Sequence, residues 1–141
     1  MIGNPGTGKD HLLCALMWYA ILRYGFSVEW QNGMELSSRM RDRIGEDDAE
    51  PEERIIKRLV KPHILVFSDP VPPKGEVGRY QAEILYSIID QRYRAMKPTW
   101  VSANVYGGDD ARNKIADNIV DRLRHDSLVI NCDWESYRTP S

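Results

Sequence analysis

The sequence is short of several things, and each shortage excludes a class of protein. Two cysteines, Cys14 and Cys132, rule out a disulfide-dense secreted scaffold and a four-cysteine zinc site. Three histidines, His11, His63 and His125, have no metal-ligand spacing, so no zinc site is read. No apolar run reaches the roughly 20 residues a membrane span needs. The start, Met1-Ile2-Gly3, lacks the basic region and apolar stretch of a signal peptide, and a soluble cytoplasmic protein is the expectation. Charge of one sign is scarce too. Nineteen Lys+Arg against 21 Asp+Glu leave a formal net charge of −2, which argues against a broadly basic nucleic-acid coat but not against a local patch. There is no internal repeat and no low-complexity tract.

What remains is an ordinary globular composition. The 141 residues are 42% hydrophobic, 28% charged and 9% aromatic, enough apolar content for one core and one domain. Helical spacing is predicted over His11–Tyr24, stopped at Gly25, and over Glu35–Arg43, Glu52–Val60, Gln81–Arg94 and Ala111–Leu123. Strand character is predicted at Phe26–Trp30, His63–Phe67, Thr99–Ala103 and Leu128–Cys132. Gly45–Glu53 reads as an acidic loop, Asp69–Gly78 as a Pro/Gly loop, and Asp133–Ser141 as a tail. Strands alternating with helices point to an α/β domain with a parallel sheet. Arg92 and Arg94 are expected on an exposed helix face. Tyr93, Trp100 and Trp134 are expected as core or interface residues rather than base-stacking platforms.

The most specific signal stands at the beginning. Gly3-Asn4-Pro5-Gly6-Thr7-Gly8-Lys9 fits G-x-x-x-x-G-K, the P-loop pattern. Its glycines let backbone N–H groups turn around phosphate oxygens, its lysine supplies a point charge, and the helix behind it aims a positive end at the same place. The bland alternative is a surface Gly/Pro turn. Two departures follow. Asp10 occupies the position of the Ser or Thr whose hydroxyl ligates Mg²⁺, and the strand His63–Phe67 ends in Ser68-Asp69 instead of two acids. Read together, the departures suggest a reciprocal exchange of carboxylate and hydroxyl that keeps a metal site of Asp10, Ser68 and Asp69, with a hydrogen bond between Asp10 and Ser68. Independent decay of the site is the competing reading.

Three stretches carry a resemblance. Gly3–Leu12 (GNPGTGKDHL), Gln81–Asn104 (QAEILYSIIDQRYRAMKPTWVSAN) and Asp121–Arg138 (DRLRHDSLVINCDWESYR) resemble, in order and across essentially the whole chain, the DnaC/IstB-like AAA+ ATPases. The closing DWESYR resembles the DnaC helicase-loader branch in particular. The resemblance implies a P-loop NTPase fold, a three-layer αβα parallel sheet, with ATP and Mg²⁺ as cofactors and a replicative DNA helicase and single-stranded DNA as partners. It implies roles as well. The loop residues Gly3, Asn4, Pro5, Gly6, Thr7, Gly8, Lys9 and Asp10 would bind nucleotide. Asp69 would be the second Walker B acid, Asn104 sensor 1, Arg122 an arginine finger acting in a homo-oligomer, and Arg138 the sensor 2 arginine. Apart from the resemblance, Asn104 also reads as a strand-end turn former, and Arg122, Arg124 and Arg138 as solvated charges.

Against that family, residues 1–141 read as a single AAA+ core, N-terminally truncated. No helicase-gripping N-terminal domain is expected. The first core strand is also expected to be missing, because only Met1-Ile2 precede Gly3. Three functions stay open on the sequence: an ATP-binding DNA replication protein of the helicase-loader type, an IstB-like transposition helper ATPase, and a nucleotide-binding or interaction module that has lost hydrolysis.

Overall fold

The computed structural model describes residues 1–42, 50–70 and 77–138. Most of the two expected loops, and the last three residues of the tail, lie outside the described residues. The chain runs β1 (Ile2–Gly3), α1 (Lys9–Tyr24), β2 (Val28–Asn32), α2 (Gly33–Asp42), α3 (Glu52–Val60), β3 (Ile64–Ser68), α4 (Arg79–Arg94), β4 (Thr99–Ser102), α5 (Gly108–Lys114), α6 (Asp117–Arg124) and β5 (Asn131–Cys132). β2, β3 and β4 pair in parallel, and β1 pairs in parallel with β5. A parallel bridge from Ile2 to Ala103 joins the two groups, so the order across the sheet is β2-β3-β4-β1-β5.

The place expected to lack its strand therefore holds a two-residue one. Its bonds are complete on both sides. The Ala103 N–H donates to the Met1 carbonyl at 3.0 Å, and the Ile2 N–H donates to the Ile130 carbonyl at 2.9 Å.

β3 is buried along its whole length, as a central strand covered on both faces must be. Its alternation divides the core. Ile64 and Val66 face Leu13 and Ala20 of α1, with Trp30 and Trp100 at the margin. Leu65 and Phe67 face the other layer, built from Leu36 and Met40 of α2, Ile55 and Leu59 of α3, Ile84, Leu85, Ile88 and Ile89 of α4, and Ile119 of α6. The result is three layers, one helix against four. The predicted single helix Ala111–Leu123 is two. Its chain breaks at Ile115 and Ala116, where Ala116 is fully extended (φ 177). The break lets Ile115 pack against two core clusters at once.

One expectation is corrected outright. Arg92 is not on an exposed face; it is 0% accessible. Its Nε donates to the Thr99 hydroxyl, and its two terminal nitrogens donate to the carbonyls of Leu59, Val60, Pro62, His63 and Pro98, at 2.7–3.3 Å. It ties the end of α3 to the starts of β3 and β4. Arg94 is exposed as expected and pairs with Asp90 at 2.9 Å. Trp100 is a core-margin residue, while Tyr93 is exposed, edge-on to His125 at 5.4 Å.

Candidate functional site

All five strands are parallel, so their carboxyl ends share one edge, where ligands bind in folds of this kind. Loop 4–8 leaves β1 at that edge and enters α1. The loop curls around Lys9, which is 6% accessible. Its ammonium donates to the carbonyls of Gly3 (3.0 Å) and Asn4 (2.6 Å) and lies 3.4 Å from the Thr7 hydroxyl. The Thr7 hydroxyl donates to the Asn4 carbonyl at 2.9 Å. Gly6 has φ +81, and a Cβ there would lie 2.0 Å from the Ser136 Oγ. Among the described residues, the N–H groups of Gly6, Thr7 and Gly8 have no protein partner. Free N–H groups at the start of a helix are what an anion needs.

A cavity of about 750 Å³ opens beside the loop, walled by Lys9, Asp10, Asp69, Asn104, Tyr137 and Arg138. The expected Walker B acid and sensor 1 meet there. The Asn104 amide donates to the Asp69 carboxylate at 2.9 Å. Asp69 has φ 44, and its N–H donates to the Ser102 carbonyl at 2.9 Å. Burial pushes the Asp69 carboxyl above its ordinary range, Asp10 nearby pushes the same way, and Lys9 and Arg138 oppose them. Two carboxylates and two cations thus face one space.

The exchanged pair is arranged differently from the expectation. Asp10 does take a hydroxyl partner, but it is Ser102, whose Oγ donates to the Asp10 carboxylate at 2.5 Å. Ser68 accepts instead from the Asn32 amide at 3.3 Å. Strand order explains it. β4 lies between β3 and β1, so the helix that follows β1 meets the end of β4 first. Ser102 is 1% accessible and pairs in register with Ser68. Nothing in the sequence singled it out.

Arg122 is not among the residues of the cavity wall. It lies on α6, donates from Nε to Asp90 at 2.6 Å, and stacks over Tyr86 at 4.8 Å from the ring centroid. The final segment reaches back to the loop. The Trp134 indole N–H donates to the Thr7 carbonyl at 2.9 Å, and the Tyr137 N–H donates to the Gly6 carbonyl at 3.0 Å.

The donor set suits a nucleotide with Mg²⁺. The loop offers N–H groups and an ammonium for phosphates. Asp10 and Asp69 offer hard oxygen ligands. Mg²⁺ commonly takes one or two carboxylates and completes its shell with substrate phosphates and water. Ser68 is 1% accessible and engaged within the sheet, so it is the weakest of the three expected ligands.

Comparison with known proteins agrees with this geometry. The model of the family described as IstB-like ATP binding protein matches residues 1–141. The chain is similar to the replicative helicase loader DnaC of Escherichia coli strain K12, 30% identical over 97% of this chain and 54% of that protein. Its similarity to the DnaC of Buchnera aphidicola subsp. Baizongia pistaciae is 31% over 96% and 54%. An insertion-sequence ATP-binding protein of Geobacillus stearothermophilus is 29% identical over 97% and 53%. The chain thus spans about half the length of the curated relatives it matches. Among solved structures, the DnaC helicase loader superposes with a TM-score of 0.76 at 21% identity, covering 92% of this chain and 75% of that one. DnaA bound to AMPPCP and single-stranded DNA gives 0.76 at 17%, covering 95% and 40%. These likenesses establish the AAA+ fold. No helix among the described residues is long and apolar enough to cross a membrane.

Proposed function

From the premise that the chain belongs to the family of IstB-like ATP binding proteins, we propose that it binds ATP with Mg²⁺ and serves DNA replication as a protein of the helicase-loader type. The observation that carries the nucleotide reading is the loop itself: N–H groups of Gly6, Thr7 and Gly8 with no partner among the described residues, beside a buried lysine and a cavity walled by acid and arginine. Loop residues 3–8 would wrap the phosphates. Lys9 would exchange its carbonyl partners for phosphate oxygens. Asp69, oriented by Asn104, would hold the proton side of an attacking water, and its raised pKa suits a group that accepts a proton. Arg138 would neutralise charge developing on the terminal phosphate. Mg²⁺, when bound, would supply charge neutralisation, and Asp10 and Asp69 would hold it.

The loader reading rests on the DnaC relatives and on the closing DWESYR segment. It carries the remaining proposals: a replicative helicase and single-stranded DNA as partners, work in the cytoplasm, and a homo-oligomer in which Arg122 acts on a neighbour's nucleotide. The insertion-sequence relative favours a second reading, a transposition helper ATPase with the same core. The acid at position 10 and the serine at position 68 favour a third, nucleotide binding without hydrolysis.

The test is Lys9→Ala. Titration with a fluorescent ATP analogue should show tenfold or weaker binding, as loss of a charge-assisted contact of about 1.5–3 kcal/mol requires. Unchanged affinity removes the P-loop reading. Phosphate release measured on the same wild-type sample separates an ATPase from a binding module, and co-purification with a replicative helicase or with a transposase separates the two DNA roles.

A further inference from the structure

The chain after β5 lies on the phosphate loop because β1 and β5 are parallel neighbours. Whatever leaves β5 emerges at the same edge as the loop leaving β1. Two donors from this segment reach two consecutive carbonyls of the loop: the Trp134 indole N–H to Thr7 at 2.9 Å and the Tyr137 N–H to Gly6 at 3.0 Å. The fit is close. A Cβ on Gly6 would collide with Ser136, and one on Gly8 would touch the Tyr137 ring at 3.7 Å. The motif glycines therefore face the C-terminal segment as well as the ligand space.

Peptide geometry gives these two bonds a consequence. No peptide bond among the described residues is cis. In a trans peptide the C=O and the N–H of the next residue point in opposite directions. A donor that fixes the Gly6 carbonyl therefore fixes the Thr7 N–H the other way, and one that fixes the Thr7 carbonyl does the same for the Gly8 N–H. Both of those N–H groups lack a protein partner among the described residues. Gly6 and Gly8, with φ of 81 and 82, would otherwise let both peptide planes rotate.

We infer that segment 134–137 is an orienting strap for the phosphate cradle, with Trp134 as its positioning residue. The ligand chemistry concerned is the polyphosphate tail and not the base. The inference deepens the nucleotide reading above and rests on it. It also implies reciprocity: a phosphate that orders the cradle must order the strap.

The full chain and its Trp134→Phe variant, which keeps a ring and loses the donor, are titrated calorimetrically with ADP, inorganic pyrophosphate and adenosine. The variant should bind ADP and pyrophosphate about fivefold more weakly, the effect of one hydrogen bond. It should bind adenosine as the wild type does, and melt within about 2 °C of it. ADP and pyrophosphate affinities within twofold of wild type overturn the inference, as does an equal loss for adenosine, which would mark general loosening. A wild-type chain that binds neither ADP nor pyrophosphate overturns the nucleotide reading itself, and the strap with it. A measurement on the wild type alone covers the case in which the variant does not fold. ADP should slow hydrogen exchange at the Trp134 indole and the Tyr137 amide several-fold, and unchanged exchange at both refutes the strap.

Discussion

Replacing Arg92 with methionine tests whether one buried cation sets the frame on which the site stands. The guanidinium makes six hydrogen bonds, five to carbonyls and one to a hydroxyl. No carboxylate pairs with it among the described residues. At about 1.2 kcal/mol net per N–H, its five donors contribute ~6 kcal/mol. Burying the charge works against them. Burial lowers the pKa from its ordinary value to about 10, which leaves the group charged at neutral pH and corresponds to about 3 kcal/mol. Methionine fills similar length without donor or charge, so the expected loss is the difference, ~3 kcal/mol. With a urea slope of about 2 kcal/mol/M, the midpoint should fall by ~1.5 M. Arg92→Lys should fare no better, because it keeps a buried charge with only three donors for six acceptors. A methionine variant within about 1 kcal/mol of wild type, or a lysine variant that restores the midpoint, would refute the reasoning.

Further predictions concern the site. Asp10→Thr and Ser102→Ala should couple in a double-mutant cycle of nucleotide-free stability by about 1 kcal/mol, while Asp10→Thr and Ser68→Ala should add independently; coupling to Ser68 instead would restore the direct exchange. Asp69→Asn should raise the melting temperature at pH 7 while abolishing any phosphate release. The sign follows from the raised pKa: the charged carboxylate opposes folding at neutral pH, and the opposition fades as pH falls through that raised value. The two melting curves should therefore converge toward about pH 4, and a difference that grows on acidification would contradict the assignment. If Arg122 acts on a neighbour, mixing Arg122→Ala with Lys9→Ala protein should restore hydrolysis that neither shows alone; a co-assembled but inactive mixture would leave Arg122 as the partner of Asp90 and Tyr86 only.

The alternation of elements and the loop motif were legible because each is written in local spacing. Glu52–Val60 was read at both of its ends, and Asp69 and Asn104 were carried over as site residues by the family resemblance; both stand in the cavity wall. What escaped is held by partners distant in sequence. The acceptors of Arg92 are backbone carbonyls of three segments, which have no residue signature. Ser102 is one serine at a strand end, and its meaning comes from Asp10, 92 positions away. The split between α5 and α6 escaped because Ile115, Ile119 and Leu123 keep helical spacing through it. Trp134 reads as an apolar residue near the end of the chain, and only the adjacency of β1 and β5 makes it a neighbour of Thr7.

The place of β1 also sets a schedule for synthesis. β1, which precedes the other four strands in sequence, sits inside the sheet, bonded to Val101 and Ala103 on one side and to residues 130–132 on the other. A ribosome adding 5–20 residues per second, the usual approximate pace, must therefore reach Asn131 and Cys132 before the phosphate loop has both of its walls. Until then β2, β3 and β4 can assemble, but the β4 edge stays open to any passing strand. Contacts this distant in sequence also slow the final closure. The nascent protein should accordingly gain its protease-resistant core in two steps, with ligand protection appearing only in the second, after Cys132 has left the exit tunnel.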